Sequence, residues 1–127
     1  MENHIPSLSV LQSALLFYVW KNLGEDADSP TVPDYQILAE KYGRGTASFR
    51  QTMENIWIKG AVERIPMKRQ GGRSHFGYFK SSQTSIEIKG WGVYNLGEQV
   101  PSSLQQAQED ALYDIKVPRK YPHANMR

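Results

Sequence analysis

A chain of 127 residues can bury a single core without disulfide or metal staples, and its 39% hydrophobic and 22% charged residues are the mix of an ordinary globular protein. It has no cysteine, which excludes disulfide frameworks, thiolate catalysis and Cys-bearing zinc sites and fits a reducing cytoplasm, the compartment expected here. The longest apolar run, Ala14 to Trp20, is far short of the roughly 20 residues that span a bilayer, and Met1-Glu2-Asn3-His4 lacks the basic start of a signal peptide, so no membrane partner is expected.

The net charge of +2 is unevenly placed. Residues 1–58 carry four Lys/Arg and seven Asp/Glu, whereas residues 59–80 carry six Lys/Arg and the single acid Glu63. Residues 81–117 are acidic again, with two basic and five acidic residues, and the last ten residues hold Arg119, Lys120 and Arg127 with no acid. A basic segment inside an otherwise acidic chain is a footprint for a polyanion, although a solvated hairpin with Lys and Arg at its turn would look the same.

A first helix is expected from Ser7-Leu8-Ser9, with Ser7 or Ser9 as its cap, and Gly24 as its end. Leu8, Leu11, Leu15, Tyr18 and Val19 recur at helical spacing, and Phe17 and Trp20 widen that face. After an acidic loop, Thr31 is the expected cap of a second helix, with Pro33 in its first turn and Asp34 near the helix dipole. Tyr35, Leu38 and Ala39 face inward, and Gly43 closes the helix. Arg44-Gly45 makes a tight turn, and Thr46 is the expected cap of a third helix reaching Lys59. Phe49, Met53 and Ile56 share one side of its wheel, with Trp57 and Thr52 at the edges. The opposite side, Ala47, Gln51, Glu54 and Ile58 flanked by Arg50 and Asn55, is small and polar over its first two turns.

Beyond Gly60, the segments Ala61 to Met67 and His75 to Phe79 read as two strands. Lys68-Arg69-Gln70-Gly71-Gly72-Arg73-Ser74 joins them as a basic hairpin turn. Ile86-Glu87-Ile88 alternates like a short strand, while the pattern of Gly90 to Tyr94 assigns no element. Pro101-Ser102-Ser103 opens a last helix with Leu104, Ala107, Gln108, Ala111, Leu112 and Ile115 on one face, and Pro118 closes it.

Two helices about a tight turn, Leu38 to Gly43 and Thr46 to Lys59, followed by a basic Gly-rich hairpin, resemble the winged helix-turn-helix family of DNA-binding domains. The join Ile58 to Arg64 is similar to that in MarR-like regulators. The resemblance implies an α+β fold: a winged helix-turn-helix over 1–100, an added C-terminal helix over 101–117 for packing or dimerisation, and a flexible basic tail over 118–127. It also implies that the third helix enters the major groove of double-stranded DNA, with the wing on the backbone or in the minor groove.

The residue chemistry agrees with that placement. Arg50 and Gln51 are bidentate readers of guanine and adenine edges, and Thr46 and Ser48 at the helix start suit a phosphate. Lys68, Arg69 and Arg73 bring charge to a slim wing, and Arg44 and Asn55 complete the candidate DNA-binding set. Glu54 departs from the pattern, because it would repel phosphate unless it accepts from cytosine or is drawn aside by Arg50. Ile58 is apolar on the exposed side and forms a contact patch if nothing covers it.

The expected function is sequence-specific DNA binding in transcriptional control. Two alternatives stay open: a winged-helix interaction module such as an adaptor or inhibitor, and a replication, plasmid or phage maintenance factor. No cofactor, metal or enzyme activity is expected. His4, His75 and His123 are widely spaced, Gly90-Trp91-Gly92 lacks the Lys-Ser/Thr of a phosphate loop, and Glu109 and Asp110 point apart on a helix. The broad apolar surface of helix 1 and the stripe of the last helix point to a homodimer, against the alternative that the last helix folds back on helix 1 of its own chain.

Overall fold

The computed structural model describes residues 4–68 and 74–114. Four helices, α1 (Val10–Val19), α2 (Tyr35–Tyr42), α3 (Thr46–Ile58) and α4 (Ser102–Leu112), combine with five strands, β1 (Ser7–Leu8), β2 (Val62–Lys68), β3 (Ser74–Lys80), β4 (Ser85–Ile88) and β5 (Gly92–Asn95). The fold class is α+β. Strands β2 and β3 form an antiparallel hairpin paired from Val62↔Lys80 to Lys68↔Ser74, and β1, β4 and β5 form a second sheet with β1 parallel to β4.

Ser9 caps α1 in a reciprocal box: its hydroxyl accepts from the Gln12 amide, and the Gln12 side chain accepts from the Ser9 amide. Ser7 is not available for capping because it pairs with Glu87 in the sheet. The helix ends in a 3-10 turn over Trp20–Asn22, short of Gly24, whose carbonyl instead accepts from the Lys80 amide of β3 at 2.8 Å.

The start of α2 is a second correction. Asp34 caps it, accepting from the Ile37 amide, while Thr31 exchanges both backbone hydrogen bonds with Tyr78, at 2.9 and 2.8 Å. Pro33 accounts for the shift, since a residue before proline is held extended. Thr31-Val32 therefore runs beside β3 and adds a third strand-like segment to the hairpin. Gly43 ends α2 with φ 75°, and Gly45, not Thr46, stands at the N-cap of α3 without a side-chain cap.

Gly60 lies outside α3 and turns the chain into β2. Its φ of 88° is the left-handed conformation that glycine adopts without a Cβ penalty. Its amide donates to Trp57 and the Ala61 amide to Ile56, the paired bonds that satisfy a helix's last carbonyls.

One core serves the described residues, and Phe49, Met53 and Ile56 of α3 are at its centre with Leu15, Leu16, Leu38, Ile86, Ile88 and Leu104. Helix α1 packs on both α3 and α4, which accounts for its apolar breadth. Of the stripe expected at a dimer interface, Leu104, Ala107 and Leu112 are buried within the chain and Ala111 is half-buried. Val100 and Leu104 belong to the same core as Phe49, so packing is continuous across residue 100. Residues 115–127, including Ile115 and the basic tail, lie outside the described residues.

A buried polar contact fixes α4 on α1: Gln108 Nε2 donates to Ser13 Oγ at 3.1 Å, and Ser13 Oγ donates to the Val10 carbonyl. Ser13→Ala strands the Gln108 amide and is expected to cost about 1–3 kcal/mol in urea unfolding. Replacing both partners, Ser13→Ala with Gln108→Leu, should recover most of that loss. A double variant as unstable as the single one would contradict this role.

Candidate functional site

Burial of Phe49, Met53 and Ile56 sets the rotation of α3 and leaves Ala47, Arg50 and Gln51 exposed, with Asn55 and Glu54 half-buried beside them. Two i,i+4 contacts order the polar side chains. Arg50 Nη1 donates to Thr46 Oγ1 at 3.4 Å, and Gln51 Nε2 donates to Asn55 Oδ1 at 3.3 Å. Ser48 is half-buried, and its carbonyl accepts from the Thr52 hydroxyl. Glu54 forms no ion pair with Arg50. Ile58 is uncovered, with 62% of its surface exposed.

Arg44 is turned elsewhere. Its Nε donates to the Leu112 carbonyl at 2.9 Å and its Nη2 to the Ala111 carbonyl at 2.7 Å, with Asp114 Oδ1 at 3.2 Å. The guanidinium thus satisfies the Leu112 carbonyl, joins the Asp114 amide on that of Ala111 and complements the dipole of α4. It ties α4 to the turn between α2 and α3. Sequence spacing gave no sign of this contact, which joins residues nearly seventy positions apart.

Between the N-terminal end of α2, helix α3 and the β2–β3 hairpin lies an open cleft of about 820 Å³. Arg50 reaches it across the ring of Tyr35, 5.1 Å from the centroid. Arg64 enters from β2, its guanidinium carbon 3.6 Å from the Trp57 centroid and 3.7 Å from that of Phe76. A cation between two aromatic faces is held more firmly than a surface arginine. Thr46, Glu54 and His75 also line the cleft, and His75 Nδ1 is buried without a hydrogen-bond partner among the described residues. Arg64 is the residue that sequence reasoning counted only as charge. Its stacking depends on the hairpin register, which sets Arg64 opposite Tyr78 and Phe76 opposite Pro66.

Burial raises the phenols of Tyr35 and Tyr78 above their ordinary values, against the pull of nearby Arg64 and, for Tyr35, of Arg50. Both phenols are therefore neutral hydroxyls in the cleft. At the hairpin tip, Lys68 is exposed at the end of β2, and Arg69 and Arg73 lie outside the described residues. No helix among the described residues is long and apolar enough to cross a membrane. No known family model, curated protein or solved structure matches the chain.

Two outcomes follow from this geometry. Arg44→Ala should lower stability by about 1.5–3 kcal/mol, the range for hydrogen bonds to a charged group, since its side chain is only 18% exposed. Asp114→Asn should stay within about 0.5 kcal/mol of the parent, because that carboxylate is 81% exposed. Equal losses in urea melts would place the weight on the ion pair instead.

The raised phenols also set an alkaline limit. Burial pushes Tyr42 up to about 12, with Glu109 adding to the shift, and Tyr35 and Tyr78 are raised as well. Their contribution is complete below the unfolded value of about 10 and is lost as pH rises through the folded values. The urea midpoint should therefore begin to fall above about pH 10 as these phenols ionise on unfolding. Ultraviolet titration showing every tyrosine ionising together in the folded chain would contradict this.

Proposed function

We propose that the chain is a sequence-specific duplex DNA-binding protein of winged-helix architecture, acting in transcriptional control. Support for the architecture comes from the order α1, Thr31-Val32, α2, α3, β2, β3, with Thr31 paired to β3 and β3 paired to β2. The observation that carries the functional reading is the outward face of α3. It presents Ala47, Arg50, Gln51 and Asn55 opposite a fully buried stripe and beside a basic hairpin. A helix with small and amide-bearing side chains on its free face fits a major groove, where an amide can bond an adenine edge in bidentate fashion. Lys68, Arg69 and Arg73 would neutralise phosphates from the hairpin tip.

A second reading rests on Ile58, 62% exposed, and Phe76, 40% exposed, two large apolar side chains suited to a protein partner. Retention on nonspecific duplex DNA that weakens with salt separates the two.

Gln51→Ala should cost about 1–3 kcal/mol at one base position and relax preference there. Uniform weakening across sequences, measured by selection from a random duplex pool, would remove Gln51 as a reader. Replacing Lys68, Arg69 and Arg73 together with Ala should lower affinity for every sequence and flatten the log K versus log salt slope by up to about three. An unchanged slope would take the hairpin tip out of the interface.

A further inference from the structure

The cleft between α3 and the hairpin holds two arginines, Arg50 and Arg64, that pair with neither of the acids lining it, Asp34 and Glu54. Among the described residues neither Arg50 nor Arg64 forms an ion pair, although aromatic faces hold both in place. Three further features converge there. Thr46 opens α3 after a Gly45 N-cap that supplies no side-chain acceptor, so the positive end of a 13-residue helix is uncapped. His75 Nδ1 is buried and has no hydrogen-bond partner among the described residues. The Tyr35 ring lies beneath Arg50, and Arg64 lines the same cleft.

We infer that this cleft is an oxyanion site for a phosphate group, with Arg50 and Arg64 donating to its oxygens and Thr46 with the start of α3 completing the cradle. Two planar guanidinium forks supply donors to several oxygens at once, which suits phosphate better than a point charge would. Glu54 and Asp34, the latter held by the Ile37 amide, line the same cleft and oppose the anion, which makes affinity modest and gives a signed test at Glu54. The phosphate could belong to a DNA strand passing between α3 and the hairpin or to a free phosphorylated molecule. The first source rests on the DNA-binding reading above; the oxyanion site does not. In either case Arg50 grips a backbone-type group instead of reading a base.

The test uses the full chain, labelled with ¹⁵N and held at constant ionic strength. It is titrated with inorganic phosphate and, separately, with a random-sequence duplex. The side-chain N–H signals of Arg50, Arg64 and Trp57 are followed. Phosphate should shift them saturably. Arg64→Lys, which keeps the charge but loses the planar fork and the stack, should weaken phosphate about tenfold. Arg50→Gln should weaken it similarly, and Glu54→Gln should strengthen it about two- to threefold. Thermal melts of the variants establish that each is folded.

If the duplex moves the same signals and Arg64→Lys weakens it, the phosphate comes from a nucleic-acid strand. If phosphate binds as described and the duplex does not bind, the oxyanion site stands for a free phosphorylated ligand and the DNA reading falls. If neither probe moves the arginine signals, the oxyanion site is overturned. Duplex binding elsewhere on the chain would then leave the DNA reading intact.

Discussion

The burial of Phe49, Met53 and Ile56 is the constraint from which the rest of the surface follows. Each is at most 1% exposed, so α3 has one rotation in which its apolar side meets α1 and α2. Turning it by one residue would swing roughly 100° of helix surface, exposing part of this stripe and burying polar groups without partners. With the rotation set, Gln51 and Arg50 face outward, where Asn55, Thr46 and the Tyr35 ring order them. The end of α3 is equally determined. The left-handed turn at Gly60 sends the chain directly into β2, which carries Arg64 back to Trp57 on the last turn of the helix.

The second organising element is α1. Because it meets α3 on one side and α4 on another, most of its wide apolar surface is covered within the chain, with Tyr18 left 37% exposed. Helix α4 in turn receives Arg44 on its last carbonyls. The turn that positions the start of α3 is therefore connected to the C-terminal helix through one side chain, and through α1 by packing. A change in α4 has a direct physical route to the surface of α3. The same connection makes α4 part of the core and not an appendage.

Much of this was legible in the sequence where a local rule governs the outcome. The α3 stripe appears in its 3.6-residue period, the stop of α2 in Gly43, and the hairpin in its alternating strands around Gly71-Gly72. Errors fell where a distant partner outcompeted a local preference. Ser7 and Thr31 are sound capping residues, yet each is drawn into strand pairing, with Glu87 and with Tyr78. Arg44 was placed in the DNA-binding set from its position at the turn, because its carbonyl partners, Leu112 and Ala111, are far along the chain. The breadth of α1 was readable, but its contacts with α3 and α4 were not, since periodicity records how much surface is apolar and not what meets it. Arg64 was visible only as charge, because its two rings come from a helix and from the facing strand.

The start of α2, helix α3 and the strands of the hairpin line one cleft, which brings an ordered polar helix face and two stacked arginines to one side of α3. The claim that this side is the working surface is tested most directly by mapping backbone amide shifts while a duplex is added at low salt. The expected result is a set of perturbations confined to the start and outer face of α3, the strands of the hairpin and its tip, with α1 and α4 unmoved. Perturbations centred on α4 and β5, or saturating contact with a protein partner through Ile58 with no response to DNA, would contradict it.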